Sequence, residues 1–510
     1  MDDVKTKKFN KFQELLFPIY GYELKKFIPM SLLMFMIVFI YGLVRSLKDY
    51  FIHYNTNLWI GAKPEETAVL ISALKLWFVL PCAFLTVMAF TALLNKFGST
   101  KAFYITISAF MMFYLIYGYV IYPNLSIFVV SEEQITNITS SVPIFFRAFL
   151  TCLANWPLTL FYIVSELWGT TAISFLFWQF ANKVTMSHEV KRFFGLFSLL
   201  SNLGSILSGS IIKNCSSNYN VGNIRLLMTL VVMSGLIILG IYTYINKIVL
   251  KDPLLYDKSK LAPKKPKKEK VSSIEGIKIL FQNPYLMLIV ILVLSYGICI
   301  NFLEVIMNSC MKEAFTGAQY ASMQGNLLIC TGVFSVVVVV LSNNILRKFS
   351  WKVAAIITPI CFLVAGGGFL TLVLYKQFIS PVIFGAPAIL IIVWCGIVSD
   401  SLFKSFKYSL FDSTKSMAYL PLDPDERNKG QAAVEIIGGR AGKAGASAIQ
   451  QVMTAFPRTL QTTTGMVSGL LAYTPAIVLL FFATVISWIF SVLKLSTRYE
   501  NKIKENNACQ

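Results

Sequence analysis

Long apolar runs, each bounded by charged residues, repeat along the whole chain. A helix needs about 20 largely apolar residues to cross roughly 30 Å of hydrocarbon, because its backbone polar groups must pair within the helix. The pattern therefore predicts twelve transmembrane helices. They lie near residues 27–48, 68–94, 102–122, 144–183, 193–214 and 224–249, and near residues 283–310, 318–346, 353–375, 379–418, 432–456 and 470–494.

Two of these spans, 144–183 and 379–418, are too long for a single straight crossing. We expect each to be tilted, broken or preceded by a helix at the membrane interface. The predicted fold class is an all-α membrane protein.

The twelve spans fall into two sets of six, separated by a hydrophilic segment that contains Pro263, Pro266 and a run of lysines. We therefore predict an N-terminal half at 1–250, a basic cytoplasmic linker at 251–280 and a C-terminal half at 281–510.

Short matches relate the two halves. Tyr41 and Gly42 precede Asp49, and Tyr296 and Gly297 precede Glu304 with the same spacing. Two six-helix halves in parallel repeat are typical of major-facilitator-like carriers, which bind substrate between the halves near the middle of the bilayer.

Composition and charge agree with a membrane carrier. The chain is 56% hydrophobic and 14% charged, which a soluble fold does not need, and its net charge is +20. The linker lysines place that segment in the cytoplasm by the positive-inside rule, so both termini are predicted to be cytoplasmic. Basic loops between spans far more often reflect membrane orientation than nucleic-acid binding, so no nucleic-acid partner is predicted.

The N-terminus lacks the appearance of a transit peptide, which favours a bacterial inner membrane.

Few residues offer chemistry other than binding. Nine scattered cysteines without a CxxC pair and only two histidines predict neither a disulfide framework, a metal site nor a cofactor. Residues 438–444 resemble a phosphate-binding loop, but the spacing is one residue short and no Ser or Thr follows Lys443. A membrane-embedded enzyme is the alternative class, and the chain offers no convincing nucleophile and base. We therefore predict that it is not an enzyme.

Ionisable residues inside the spans are the candidate functional residues, because a charge at bilayer depth costs several kcal/mol unless it faces a wet cavity or a partner. The alternatives are side chains that reach the interface, structural ion pairs and solvated helix faces. Lysine and arginine form charge-assisted hydrogen bonds with phosphate oxygens, which fits a polyanionic substrate. The ionisable residues are Arg45, Lys48, Asp49, Lys75, Arg147, Glu166, Glu304, Asp400, Lys404, Lys407, Lys415, Glu435, Arg440 and Lys443, and the polar residues Asn301 and Asn308 share a helical face with Glu304.

Asp400, Lys404, Lys407 and Lys415 fall within about 80° of one another on a helical wheel of 3.6 residues per turn. The same spacing argument places Arg45, Lys48 and Asp49 on one face of the first span.

Four segments resemble the bacterial and plastid nucleotide transporter family, also called the non-mitochondrial ATP/ADP carriers. They are Leu43–Asp49 (LVRSLKD), Ser165–Asn182 (SELWGTTAISFLFWQFAN), Asn301–Lys312 (NFLEVIMNSCMK) and Lys407–Gln451, which begins KYSLFDSTKSMAYLPLD and ends GKAGASAIQQ. The likeness runs from about residue 18 to residue 499.

This resemblance implies an ATP/ADP antiporter that imports host ATP in exchange for ADP by alternating access, with ATP and ADP as partners of a monomer in the lipid bilayer. Family members are similar in having two lysines and two glutamates important for transport, which correspond to Lys48, Glu166, Glu304 and Lys415. Nearby cations would be additional phosphate contacts: Arg45, Lys404, Lys407, Arg440 and Lys443.

One segment departs from the family pattern. Family exchangers usually follow the glutamate of the seventh span with an aromatic and basic pair, whereas Glu304 precedes Val305, Ile306, Met307 and Asn308. A proton-coupled importer, or an exchanger of GTP, UTP or CTP, is therefore the alternative function.

Overall fold

The computed structural model describes most of the chain. The described residues are 19–53, 59, 67–140, 142, 144–215, 220–256, 282–315, 317–376, 382–383, 386–422, 434, 441–453, 460–462, 465–467 and 472–508. Most of the predicted linker at 251–280 therefore lies outside the described residues.

Helices make up nearly all of this structure. They are α1 Leu24–His53, α2 Thr67–Ala73, α3 Leu80–Ile116, α4 Leu125–Phe128, α5 Glu132–Ser140, α6 Ile144–Ala154, α7 Trp156–Trp168, α8 Trp178–Val184, α9 Ser187–Cys215, α10 Val221–Lys247, α11 Pro284–Ala314, α12 Gly317–Lys348, α13 Trp351–Cys361, α14 Gly367–Leu374, α15 Ala388–Phe406, α16 Asp412–Ala418, α17 at residues 441–453 and α18 Thr474–Ala508. π-Helical turns occupy Leu74–Val79, Tyr117–Ile121, Gly169–Phe177, Phe362–Gly366 and Lys407–Phe411, and 3-10 turns occupy Gly21–Glu23, Tyr122–Asn124 and Val249–Lys251.

Ten helical segments among the described residues are long and apolar enough to cross a membrane. One of them, Val69–Phe128, has 60 residues and contains two predicted spans; Gly98 between them has a non-helical φ of 75°. The predicted eleventh span at 432–456 is described only at residues 434 and 441–453, where the structure is helical. The multi-pass helical prediction is confirmed, and the ten segments fit the predicted order.

The two overlong spans are resolved in different ways. In the fourth, a break at Asn155 separates the short helix α6 from α7, which matches the expectation of a preceding helix. In the tenth, the helix begins only at Ala388, and the predicted start is wrong. The strands β1 Val382–Ile383 and β2 Ala386–Pro387 form an antiparallel ribbon there, and β3 Leu460–Thr462 pairs with β4 Gly465–Val467 in the same way. The all-α prediction therefore holds apart from these two ribbons.

Two hydrophobic cores form along the chain. The first contains residues from Ile19 to Leu255 together with Ala321, and the second contains residues from Tyr285 to Tyr499. At one end of the first core, Lys26 of α1 contacts Glu189 of α9 at 2.6 Å, and Arg192 contacts Glu23 at 2.6 Å. These buried ion pairs fix the start of α1 against the start of α9.

Helices α9 and α12 join the two cores through a close backbone contact. A Cβ atom built on Gly209 would lie 2.6 Å from the carbonyl oxygen of Gly325, and a Cβ on Gly325 would lie 2.6 Å from that of Gly209. Small residues allow helix backbones to approach closely in membranes. The contact therefore requires glycine on both sides.

Gly209→Ala is expected to destabilise the protein by about 1–3 kcal/mol, the usual cost of overpacking, because the added methyl group meets backbone that cannot rotate away. A lower melting temperature of the purified protein in detergent would show this. Gly240→Ala in α10 is the matched control, since a Cβ there meets nothing within 4 Å. Equal melting temperatures for the two variants would contradict the close contact.

A ladder of small hydroxyl side chains sets the rotation of α15 and the turn that follows it. Thr331 and Ser335 of α12 lie 3.2 Å and 2.9 Å from Ser401 and Ser405, respectively, and Ser342 donates to Ser409 at 3.0 Å. This face of α15 is thereby held against α12.

Candidate functional site

A small internal cavity lies where α1, α2, α7, α11, α12, α15, α17 and the turn Leu74–Val79 meet. Its volume is about 30 Å³, room for about two water molecules. The side chains that line it are Tyr41, Arg45, Lys48, Asp49, Ile71, Lys75, Tyr162, Glu166, Glu304, Val305, Met307, Asn308, Gln324, Leu327, Lys404 and Lys443. Residues of both hydrophobic cores thus meet around one polar centre.

The first group of charges surrounds Lys48. Its Nζ lies 2.9 Å from Oε1 of Glu166 and 2.7 Å from Oδ1 of Asp49, and 4.4 Å from the ring centroid of Tyr162. The Lys48 side chain is only 5% exposed, whereas that of Glu166 is 30% exposed. Glu166 is therefore the more accessible partner of this ion pair, and it also lines the cavity.

The second group joins the two cores through Glu304. Its Oε1 accepts a hydrogen bond from Nη2 of Arg45 at 2.6 Å and lies 3.2 Å from Nζ of Lys404. Lys404 also contacts Asp400 one helical turn earlier. A single carboxylate thus holds two cations that stand 259 and 100 residues away from it in sequence.

The third group contains Lys75, which donates to Oδ1 of Asn301 at 2.5 Å. The amide nitrogen of Asn301 donates to the carbonyl oxygen of Lys443 at 3.3 Å and to Oγ of Ser447 at 3.2 Å. This network joins the second predicted span to α11 and α17.

The cavity carries more positive than negative charge. Five basic side chains line it (Arg45, Lys48, Lys75, Lys404 and Lys443), against three carboxylates (Asp49, Glu166 and Glu304), and Asp400 stands behind Lys404. One net positive charge remains when Asp400 is included. In the low dielectric of a membrane protein, such an excess attracts anions strongly. In the part of the chain that the structure describes, no group of three His, Cys, Asp or Glu side chains is placed to hold a metal ion.

Two of the predicted site lysines form a separate cluster. Lys407 and Lys415 lie 3.6 Å and 3.3 Å from Asp412, and neither lines the cavity. The predicted common face with Lys404 assumed a regular helix, whereas the π turn Lys407–Phe411 interrupts that periodicity. Arg440 lies outside the described residues. The other six predicted residues (Arg45, Lys48, Glu166, Glu304, Lys404 and Lys443) all line the cavity.

The two short matches between the predicted halves lie at comparable places in the structure. A Cβ on Gly42 would meet Ser208 of α9, and one on Gly297 would meet Gly442 of α17. Helix α1 thus packs on α9 and α11 packs on α17 through a glycine, and Asp49 and Glu304, seven residues after those glycines, both line the cavity.

Sequence reasoning missed Asp412 as a partner of both lysines, although its spacing of three residues from Lys415 was a usable signal. It singled out Lys75 as a charge within a span but left it out of the site. No local pattern indicates that Tyr162 contacts Lys48, because aromatic residues are common throughout the chain.

Known proteins resemble this chain in sequence over nearly its whole length. The sequence model described as TLC ATP/ADP transporter matches residues 2–499. ADP,ATP carrier protein 1 of Rickettsia bellii is 36% identical over 509 residues, covering 97% of this chain and 98% of that protein. ADP,ATP carrier protein 1 of Chlamydia trachomatis is 35% identical over 510 residues, covering 97% of this chain and 93% of that protein.

Solved structures of other transporters share the fold. A D-xylose-proton symporter matches with a TM-score of 0.57 at 12% identity, over 94% of this chain and 97% of that one. An inward-facing bacterial homologue of the iron transporter ferroportin matches with a TM-score of 0.56 at 11% identity, over 93% of this chain and 99% of that one. At these identities the likeness shows the fold alone, and it confirms the major-facilitator-like prediction at that level. The family match over residues 2–499 identifies this multi-pass membrane protein as a member of the TLC ATP/ADP transporter family, a family of transporters and not of enzymes.

Proposed function

We propose that this protein exchanges ATP for ADP across a membrane by alternating access. The observation that carries the proposal is the cavity between the two cores, lined by five basic side chains. The names of the Rickettsia and Chlamydia relatives, ADP,ATP carrier protein 1, support the same substrates. They do not favour the alternative of a proton-coupled importer or an exchanger of other nucleotides.

In this mechanism the phosphates of the nucleotide bind the lysine and arginine side chains, and the carboxylates of the cavity compete with the phosphates for those cations. Lys48 is the first phosphate contact, and binding there displaces Glu166 or Asp49. Arg45 and Lys404 become available when Glu304 is displaced. Lys407 and Lys415, held by Asp412, would meet the nucleotide along the route to the cavity, since Lys415 lies about 16 Å from Lys404 at the usual helical rise. Substrate release then requires the carboxylates to recover their partners.

The cavity must widen to admit a nucleotide, because sites for small molecules usually measure about 300–1,000 Å³. Several contacts between the cores would have to part during opening. Ser72 donates to Gln450 at 2.8 Å and Trp77 donates to Gln451 at 3.0 Å, while α9 meets α12 at Gly209 and Gly325.

The predicted topology belongs to this proposal. It comprises twelve crossings, with halves at 1–250 and 281–510, a basic linker at 251–280 and both termini in the cytoplasm of a bacterial inner membrane. The break at Gly98 within Val69–Phe128 and the helical residues 441–453 support the two crossings that are not separate segments. A monomer is sufficient, because one chain supplies every side chain of the cavity.

A counter-exchange panel in proteoliposomes tests this function. Uptake of labelled ATP is expected to require internal ADP or ATP, while internal GTP, CTP or UTP should support little uptake. The physical reason is that the Arg45–Glu304 ion pair re-forms between the two cores when the site is empty and holds them together. The cores therefore rearrange more readily with a nucleotide bound. Uptake into empty vesicles that follows a pH gradient would overturn the exchange mechanism.

A further inference from the structure

Lys75, like Lys443, differs from the other three cations of the cavity in its partners. Arg45, Lys48 and Lys404 each lie within 4 Å of a carboxylate. For Lys75, the carboxylates of the described residues supply no such partner, and its Nζ contacts the amide oxygen of Asn301 instead. A neutral amide orients an ammonium group but does not neutralise it.

Asn301 is fixed by its own hydrogen bonds. The residue is fully buried, and its amide nitrogen donates to the Lys443 carbonyl and to Ser447. Its oxygen must then face Lys75, because an ammonium group can only donate. The Lys75 side chain is therefore aimed at the cavity by a residue of the second core.

The two kinds of cation differ in what a phosphate must displace. Binding at Lys48 requires a phosphate to replace the carboxylates of Glu166 or Asp49, which already satisfy the charge. Binding at Lys75 replaces one hydrogen bond to an amide. An unpaired cation inside a membrane protein is costly, so an anion at Lys75 gains more net free energy than the same contact at a paired cation.

We propose that Lys75 forms a phosphate subsite of the cavity, positioned by Asn301, for nucleoside di- and triphosphates. The inference rests on the proposed function and adds a residue to its site. Lys443 also lines the cavity and lies on α17, whose Ala446 belongs to the second core, so a phosphate held by both lysines would bridge the cores. The Lys75–Asn301 bond, which joins the cores without substrate, then yields to the phosphate.

Binding to the purified protein tests the subsite. Lys75→Gln is expected to weaken ATP and ADP binding at least about tenfold, because the variant loses a charge-assisted hydrogen bond to a phosphate oxygen. AMP binding should weaken less. Lys75→Arg keeps the charge and should bind within about threefold of the wild type. The ligand-free Lys75→Gln protein should melt at or above the wild-type temperature, because the variant removes a half-buried charge that has no carboxylate partner in the described part of the chain.

Other outcomes separate the possibilities. A Lys75→Gln protein that binds ATP normally but melts at a lower temperature would make Lys75 a structural link and overturn the subsite. Lys183→Gln is the matched control, because Lys183 donates to Ser99 and does not line the cavity. Inorganic tripolyphosphate serves as a probe without a base. If the wild type binds no nucleotide, the proposed function fails, whereas Lys75-dependent binding of tripolyphosphate would still support the subsite.

Discussion

Glu304→Gln is expected to slow ATP/ADP exchange by at least about a hundredfold while leaving the affinity for ATP equal or higher. Glu304 holds Arg45 at 2.6 Å and Lys404 at 3.2 Å. Without the Glu304 charge, Arg45 has lost its carboxylate partner and Lys404 keeps only Asp400 when the nucleotide leaves. Removing one partner of a buried ion pair typically costs about 3–5 kcal/mol. About 3 kcal/mol added to the barrier for release or return slows a rate about a hundredfold.

The measurement separates binding from turnover. Equilibrium binding of labelled ATP to the detergent-solubilised variant gives its affinity, and exchange in proteoliposomes gives its rate. Glu304→Asp, which keeps the charge on a shorter side chain, should retain part of the rate. If Glu304→Gln instead exchanges at the wild-type rate, the carboxylate does not compete with the substrate.

Glu313→Gln provides the matched control. Glu313 lies on the same helix, α11, and also forms an ion pair, with Lys376 at 2.6 Å, but its side chain is 46% exposed. Exposed pairs contribute little to stability. The control should therefore exchange normally.

Lys48→Gln is expected to weaken ATP binding by about tenfold to a hundredfold and to abolish measurable exchange. The charge that Lys48 offers to a phosphate is lost, and charge-assisted hydrogen bonds contribute about 1.5–3 kcal/mol each. In addition, Glu166 and Asp49 are left without their shared cation. The variant should therefore also melt at a lower temperature.

The double variant Lys48→Gln/Glu166→Gln separates the structural from the functional loss. Removing both charges of a buried pair is less destabilising than removing one, so the double variant should recover part of the melting temperature. Exchange should stay absent because no cation replaces Lys48. Recovery of exchange in the double variant would show that Lys48 acts only through its ion pair.

The membrane architecture could be predicted from local sequence. Each apolar run has the length that the bilayer requires, so positions such as 27–48 and 283–310 identified α1 and α11 without reference to other segments. Boundaries failed where the chain leaves the helix, as at the ribbon before Ala388, because short apolar strands and helices share the same composition.

Individual charged residues of the site could likewise be predicted from the sequence, but their ion-pair partners could not. Glu166 and Glu304 stood out because an apolar neighbourhood makes a carboxylate costly. Nothing local indicated that Glu304 would meet Arg45, since 259 residues separate them. Which faces meet depends on the rotation of each helix, and contacts such as Gly209–Gly325 fix that rotation.

The sequence by itself therefore determined that this chain crosses the membrane many times, carries charges at Lys48, Glu166 and Glu304 within it, and resembles nucleotide transporters. Only the tertiary structure decided that Lys404 faces the cavity while Lys415 pairs with Asp412, and that Lys75 points at Asn301. The physical reason is that hydrophobicity acts on each segment alone, whereas π turns such as Leu74–Val79 and Lys407–Phe411 shift the helical register. That shift sets which side chains face the cavity, and it cannot be predicted from a regular helical period of about 3.6 residues per turn.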